Sequence, residues 1–247
     1  MLITSRQNQV IQHTRKLLQS RSFRQQTGQF AAEGTKLLAE AAAWYDELEL
    51  VIAVEGLALP QLPQGVRELR VSRELMAWLS QQGSPQGALF VGRMPEKQPL
   101  TLRPGCLILD GIQDPGNLGT ILRTADALEV PVVLSDGCAD AWSAKTLRAA
   151  MGAVFRNPPQ SARREEILAA CRQQDIPLAV TALSPRAVDI RTAPLRQWAV
   201  VIGSEGRGVC AEYFQAAEQQ LIIPMNERCE SLNAAVAATI VLWQMKR

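Results

Sequence analysis

The sequence has little of what metal sites and disulfide frameworks require. Only one of its 247 residues is histidine, and its five cysteines are odd in number, widely spaced and never arranged as CxxC. This pattern argues against both a zinc site and a disulfide scaffold. We therefore expect reduced thiols, no bound metal and a cytoplasmic location.

Long apolar segments are also missing. The N-terminal stretch MLITSRQNQVIQHTRKLL has no uninterrupted apolar run, and the longest run near the C-terminus is far shorter than the ~20 residues of a membrane-spanning helix. The composition, 47% hydrophobic and 20% charged, is that of a globular protein. We expect no membrane partner and, since domains usually contain ~100–150 residues, two compact units.

Acidic residues are absent from the chain before Glu33, although the net charge is only +2. Arginine suits bidentate contact with phosphate, so this basic stretch is a candidate nucleic-acid surface. A solvated helix face is the alternative interpretation. The candidate residues are Arg6, Arg15, Lys16, Arg21 and Arg24.

The chain divides at a proline-rich segment, MPEKQPLTLRPG, which we interpret as a linker over 94–105. Before it, residues 1–93 read as a small α/β domain. That domain begins with an amphipathic helix over about 8–22, which GQFAAEG ends. A helix at TKLLAEAAAW, a strand at LELVIAV, a helix-like RELMAWLSQQ and a last strand at GALFVGR follow.

Residues 106–247 show a different pattern of apolar segments. Five apolar runs, CLILDGI, VPVVLSD, PLAVTAL, WAVVIGS and QLIIPM, alternate with helical segments. Alternation of this kind predicts a parallel sheet covered on both faces. Ligands bind such sheets beyond the carboxyl ends of the strands, so the loops after these runs are the candidate sites.

Three such loops carry polar residues. DGIQDPGNLGTILR contains Asn117, a good N-cap residue, and Arg123, which can share a site with Asn117 only if Asn117 lies outside the helix. GSEGRG places Gly203 and Glu205 in a glycine-rich turn that matches neither the dinucleotide fingerprint nor a P-loop. A dehydrogenase or a nucleotide triphosphatase is therefore disfavoured.

The third loop, IPMNERCESLN, opens a very apolar helix. Ser231 is a candidate cap for that helix. Asn233, placed two positions into a helix, would compete for backbone hydrogen bonds, so contact with a ligand or another loop explains it better.

In order and spacing, NLGTILR, GSEGRG and IPM followed by SLNAAVA resemble the SpoU/TrmH family of RNA ribose 2′-O-methyltransferases in the SPOUT superfamily. Residues 1–93 resemble, less specifically, the ribosomal-protein-like substrate-binding domain of its rRNA-modifying members. The resemblance implies an α/β catalytic domain with a deep trefoil knot, S-adenosylmethionine as cofactor and a homodimer whose active site draws on both subunits. The RNA would be 23S rRNA, with tRNA as the alternative.

The resemblance also implies roles for individual residues. Gly203, Ile223 and Leu232 would line the cofactor site, largely through backbone atoms. One departure is Glu227, where many members have glycine. The polar catalytic group would consist of Asn117, Arg123, Glu205, Ser231 and Asn233.

A non-catalytic RNA-binding protein on the same scaffold is the main rival, and the presence of this whole polar group favours the enzyme. Since the sulfonium methyl is already electrophilic, alignment of the ribose 2′-oxygen is the larger task. A guanidinium is very hard to deprotonate, so we expect Arg123 to fix the target phosphate and stabilise the developing alkoxide rather than act as a base.

Overall fold

The computed structural model describes residues 2–226, 228–229 and 231–247. They form two compact units, Met1–Lys97 with Asp140–Arg156, and Gln98–Ala139 with Asn157–Arg247. The segment that separates them in sequence, over 94–105, contains no helix or strand. The division into domains at 1–93 and 106–247 stays a prediction, and residues 140–156 group with the first unit by their contacts.

The described residues contain the following elements. The strands are β1 Leu2–Ile3, β2 Gln29–Glu33, β3 Leu48–Val54, β4 Arg67–Val71, β5 Ala88–Arg93, β6 Leu107–Asp110, β7 Val132–Leu134, β8 Gln160–Ser161, β9 Leu178–Thr181, β10 Val188–Asp189, β11 Ala199–Gly203 and β12 Gln219–Ile222. The helices are α1 Gln9–Gln19, α2 Arg21–Thr27, α3 Thr35–Trp44, α4 Arg73–Leu79, α5 Pro115–Ala127, α6 Ala144–Ala150, α7 Ala153–Arg156, α8 Arg164–Gln173, α9 Ala211–Ala216 and α10 Ala234–Lys246.

The first unit is built on a five-stranded sheet in the order β1-β4-β3-β5-β2. β3 pairs in parallel with β4, whereas β5 runs antiparallel to both β2 and β3. The segment GQFAAEG, predicted only to end the first helix, contains β2. The N-terminal helix is α1 alone, with Asn8 Oδ1 accepting from the Val10 N–H at 2.9 Å, and α2 is a second helix.

Residues 140–156 complete the core of the first unit. Phe30 of β2 lies with its ring centroid 4.8 Å from that of Trp142 and 6.0 Å from that of Phe155. The buried guanidinium of Arg24 donates from Nε and Nη2 to Asp140 Oδ2, at 2.8 and 2.6 Å. A segment from the middle of the chain thus supplies both apolar area and a countercharge.

The second unit has a seven-stranded sheet in the order β10-β12-β9-β11-β6-β7-β8. Every pairing within it is parallel. The five strands predicted from apolar runs are confirmed as β6, β7, β9, β11 and β12, and so is the α/β class. β8 and β10 were missed, since each has only two residues.

Within the described residues, no helix is long and apolar enough to cross a membrane. All five cysteines are free thiols in the described chain. Burial raises the pKa of Cys106 to about 12 and that of Cys171 to about 11. These two side chains therefore behave as small apolar groups of the core.

Candidate active site

Three of the predicted catalytic residues, Asn117, Glu205 and Asn233, come together at the carboxyl edge of the second sheet. β6 and β11 are parallel neighbours, and Gly203 at the end of β11 lies beside Asp110 at the end of β6. The chain after these strands carries Asn117 and Glu205, and Asn233 stands at the start of α10. This is the edge at which open parallel sheets bind ligands.

Three side chains form one hydrogen-bonded group, which we name the amide–carboxylate cluster: Asn117, Glu205 and Asn233. Glu205 Oε1 accepts from Asn117 Nδ2 at 2.5 Å and from Asn233 Nδ2 at 3.3 Å. The same oxygen accepts from the Ala234 N–H at 3.1 Å. Asn233 Nδ2 is also 3.1 Å from Asn117 Oδ1. A single carboxylate oxygen therefore ties two other segments of the chain together.

The start of α5 differs from the prediction. Asp114, not Asn117, is the N-cap residue, and its carboxylate accepts from the Asn117 N–H at 2.8 Å. Pro115 occupies the first turn, where its missing N–H costs nothing. Because the helix begins at Pro115, Asn117 lies inside it, and its side chain is available to bond to Glu205.

The start of α10 also differs. Asn233 is itself the N-cap residue, with Oδ1 accepting from the Ala235 and Val236 N–H groups at 2.9 and 3.3 Å. The prediction that Ser231 caps the helix is wrong, because the helix begins at Ala234. Ser231 is exposed and has no hydrogen bond in the described part of the chain. The oxygen of Asn233 thus caps the helix while its nitrogen joins the cluster.

Arg123 does not join the cluster. It is exposed on α5 and makes no hydrogen bond or ion pair within the described residues. Since Asn117 and Arg123 lie six residues apart in one helix, they are separated by about 120° around its axis. The two could share a site within one chain only if Asn117 lay outside the helix, and it lies inside.

The glycine-rich loop after β11 folds back on itself. Gly208 donates its N–H to the Ser204 carbonyl at 2.9 Å, and the two residues form a β-bridge. A Cβ on Gly203 would lie 2.0 Å from the Gly208 carbonyl carbon. Only glycine fits at Gly203, which is a structural requirement in addition to its predicted cofactor role. At Gly206 a Cβ would meet nothing within 4 Å.

The other predicted cofactor residues flank the third loop. Ile223 directly follows β12, Leu232 directly precedes the N-cap of α10, and both are half-buried. β12, β9, β11 and β6 are adjacent in the sheet, so the ends of these strands share one edge. Glu227 lies outside the described residues.

Asp110 is a site residue that sequence reasoning missed. It is buried, its Oδ2 accepts from the Cys210 N–H at 2.8 Å, and its Oδ1 accepts from Arg164 at 3.4 Å. Burial raises the pKa of Cys210 to about 11, and the Asp110 charge acts in the same direction. Asp110 thereby fixes the start of α9 to β6. The available signal was a carboxylate directly after a buried apolar run.

The predicted RNA-binding cations belong to the first unit. Arg6, Lys16 and Arg21 are exposed and Arg15 is half-buried. Arg24 is only 4% exposed, and besides Asp140 it bonds to the Leu17 carbonyl through Nη1 at 2.5 Å. The prediction that Arg24 contacts RNA is wrong, because its donors are used inside the protein.

Acidic, histidine and cysteine side chains do not gather in groups of three or more suited to a metal within the described residues. The site is instead made of amides, one carboxylate and backbone groups at the edge of a parallel sheet. Together with a separate unit that carries exposed cations, it defines a two-unit α/β protein built to hold a polar ligand at that edge.

Comparison with known proteins names the family. Residues 104–243 match the SpoU rRNA Methylase family, and residues 8–89 match the MRM3-like substrate binding domain. The chain belongs to the SpoU rRNA methylase family, as the three loops predicted.

Individual relatives extend over nearly the whole chain. The 23S rRNA (guanosine(2553)-2′-O)-methyltransferase RlmP of Bacillus subtilis is 32% identical over 246 residues, 99% of this chain and 98% of the relative. Human mitochondrial rRNA methyltransferase 3 is 30% identical over 295 residues, with 94% of this chain and 70% of the relative covered. The structure of the AdoMet-bound rRNA methyltransferase of Sinorhizobium meliloti superposes with a TM-score of 0.87 at 29% identity, covering 100% of this chain and 97% of that one.

Proposed function

We propose that this protein transfers the methyl group of S-adenosylmethionine to a ribose 2′-hydroxyl of 23S rRNA. The observation that carries the proposal is the amide–carboxylate cluster, which the chain assembles from three separate segments, one of them the glycine-rich loop. The presence of this polar group at the ligand-binding edge of the sheet favours the enzyme over a protein of the same fold that only binds RNA. The substrate follows that of RlmP, to which the chain is similar over its whole length.

The residues at the carboxyl edge fit the cofactor. The backbone of the glycine-rich loop packs closely on Gly203 at the end of β11. Backbone groups brought this close to a site suit the polar edges of an adenosine and an amino acid. Ile223 and Leu232 offer apolar contact on either side of the third loop. When bound, S-adenosylmethionine supplies a methyl group that is already electrophilic. Glu205 would brace the cofactor loop through its hydrogen bonds to Asn117, Asn233 and the Ala234 N–H.

The chain's own residues then have to position the ribose. Asn117 retains one Nδ2 hydrogen and one Oδ1 lone pair beyond the bonds inside the cluster, and we infer that these orient the sugar hydroxyls. Asn233 has both amide hydrogens and both oxygen lone pairs in use, so it orients the ribose through Asn117 and Glu205. Arg123 is assigned to the target phosphate and to the developing alkoxide, because a guanidinium stays protonated. The proton of the 2′-hydroxyl then passes to water or to that phosphate. Ser231 is assigned to support of the third loop. Alignment of the two reacting atoms supplies most of the rate enhancement.

We infer that the first unit, with its exposed cations Arg6, Lys16 and Arg21 and the half-buried Arg15, extends the RNA-binding surface. The domain division at 1–93, 94–105 and 106–247 belongs to this proposal, as do the trefoil knot and a cytoplasmic location. The matches at 8–89 and 104–243 support the division.

Two measurements test the function. Calorimetric titration with S-adenosylmethionine is expected to show saturable binding to the full chain. Mapping of ribose methylation in RNA from cells lacking the gene is expected to show one missing methyl group in 23S rRNA. Absence of cofactor binding would overturn the enzyme, and a methyl group missing from tRNA instead would overturn the substrate.

A homodimer is part of the proposal, and α10 supports it. This helix carries apolar residues on all sides, a pattern typical of a helix that is buried by other parts of the protein or by a partner. One face packs on α5, while Val236, Ile240 and Trp243, at positions i, i+4 and i+7, form a stripe on another. Val236 is 48% exposed and Trp243 is 61% exposed. A dimer through this stripe fits the position of Arg123, which one protomer alone leaves outside the cluster.

Trp243→Glu is expected to convert the dimer to monomers. Loss of a buried interface tryptophan costs about 2–4 kcal/mol, so the dimer dissociation constant should rise roughly 30- to 10³-fold. Sedimentation velocity over a protein dilution series measures this. The control is Trp44→Glu, since Trp44 is also 61% exposed but lies in the first unit. Equal effects of both variants, or none from Trp243→Glu, would contradict the interface.

A further inference from the structure

Two arginines converge on one tryptophan in the first unit. The guanidinium carbon of Arg15, on α1, lies 3.8 Å from the ring centroid of Trp78 on α4. The guanidinium carbon of Arg6, which precedes α1, lies 5.3 Å from the same centroid. Both distances are within the ~6 Å range of a cation–π interaction. Trp78 is half-buried against the core of this unit, so it provides a fixed platform.

Neither arginine is neutralised. Within the described residues, no carboxylate forms an ion pair with Arg6 or Arg15, and their side chains donate no hydrogen bond. Because both guanidinium carbons lie close to one ring, they are at most about 9 Å apart, within a Debye length of ~10 Å at 0.1 M salt. Two like charges held this close, with all their donors unused, fit an anion between or beside them.

A guanidinium over an aromatic ring keeps its N–H donors available for a phosphate. Stacking uses the flat face of a guanidinium, while its five N–H donors lie in the plane and extend from the edge. Neither guanidinium donates a hydrogen bond within the described residues, and contact with Trp78 limits the positions of both, so less order has to be imposed when a phosphate binds. A lysine in either position would keep the charge and lose the fork.

We propose that Arg6, Arg15 and Trp78 form a phosphate clamp for the RNA backbone, in which Trp78 positions both guanidinium groups. The clamp rests on the proposed function, since it assumes that RNA is the substrate. It assigns to Trp78 a positioning role that the basic stretch alone does not reveal. Shielding of the indole by two arginine side chains is the purely structural alternative.

The salt dependence of RNA binding separates these two roles. The probe is full-length 23S rRNA transcript, bound to the full chain over roughly 50 to 300 mM KCl. Each phosphate contact contributes about 0.7–0.9 to the slope of log K against log salt. The double variant Arg6→Gln with Arg15→Gln is therefore expected to reduce that slope by about 1.4–1.8. Trp78→Leu keeps both charges, and we expect roughly 3- to 10-fold weaker binding with a nearly unchanged slope.

A matched control removes the same charge elsewhere. Arg103 precedes β6 and Arg172 lies near the end of α8, and both are exposed. They lie at the amino ends of the second unit's strands, whereas the candidate active site lies at the carboxyl ends. Arg103→Gln with Arg172→Gln is expected to leave the slope unchanged. Thermal melting and circular dichroism verify that each variant is folded.

The outcomes are distinguishable. A folded double variant with the slope of the control would overturn the clamp, as would a folded Trp78→Leu protein with wild-type RNA affinity. Failure of the wild-type protein to bind the transcript would instead overturn the proposed RNA substrate. Calorimetry with S-adenosylmethionine is expected to give the same affinity for all variants, because the clamp is outside the cofactor site.

Discussion

Gly203→Ala is expected to abolish S-adenosylmethionine binding at ordinary concentrations. The new methyl group would lie 2.0 Å from the Gly208 carbonyl carbon and 2.3 Å from the Val209 nitrogen. These are backbone atoms that no rotamer change can move, so the strand end and the loop must separate. Overpacking of this kind costs about 3 kcal/mol or more, which corresponds to at least roughly 10²-fold in cofactor affinity if it falls on the loop. Calorimetry and a thermal melt measure both effects.

Gly206→Ala serves as the folding control for this experiment. Gly206 belongs to the same loop, but its Cβ would enter open space. Its melting temperature is therefore expected to stay close to that of the wild-type protein. A Gly203→Ala protein with wild-type stability and wild-type cofactor affinity would refute the close approach of Gly203 to Gly208.

Glu205→Ala is expected to reduce methyl transfer by roughly 10²-fold or more, while Glu205→Gln retains much of the activity. Alanine removes the shared acceptor and leaves the amides of Asn117 and Asn233 without their common partner. Displacement of positioning groups by about 1 Å costs ~10²-fold in rate. Glutamine can keep an oxygen at the same place, although without the charge that strengthens these bonds. Single-turnover methylation of 23S rRNA transcript, at saturating cofactor, measures the rate.

The higher methyl-transfer rate of Glu205→Gln than of Glu205→Ala is the result that tests the positioning role. If Glu205 acted only through its charge, Gln and Ala would be equally damaging. If Glu205 had neither a charge role nor a positioning role, both variants would be close to wild type. Glu165→Ala, which removes an exposed carboxylate on the first turn of α8, is the control for the loss of one negative charge.

Much of the fold was predictable because the strands of the second unit are buried on both faces. A run such as CLILD reads as apolar throughout, whatever its neighbours are. β2 was missed for the opposite reason, since it is short, lies between Gly28 and Gly34, and gains part of its burial from residues 140–156, far away in sequence. The local sequence around β2 contains no information about a packing partner that is distant in sequence.

The candidate site was predicted at the level of loops and only in part at the level of residues. The order of the three segments located Asn117, Glu205 and Asn233 correctly at one edge of the sheet. Helix starts were misplaced by a few residues, because capping ability is shared by Asp114, Asn117, Ser231 and Asn233 and only the folded backbone selects among them. The burial of Arg24 could not be predicted from the sequence, since its countercharge, Asp140, lies 116 positions later.

The position of residues 140–156 changes where this chain can be divided. A fragment that ends at Lys97 would contain all five strands of the first sheet, yet it would lack Asp140, Trp142 and Phe155. The guanidinium of Arg24 would then be buried without its carboxylate, and removal of one partner from a buried ion pair costs about 3–5 kcal/mol. The first unit therefore depends for its folding on residues 140–156, which lie within the segment that matches the SpoU rRNA Methylase family.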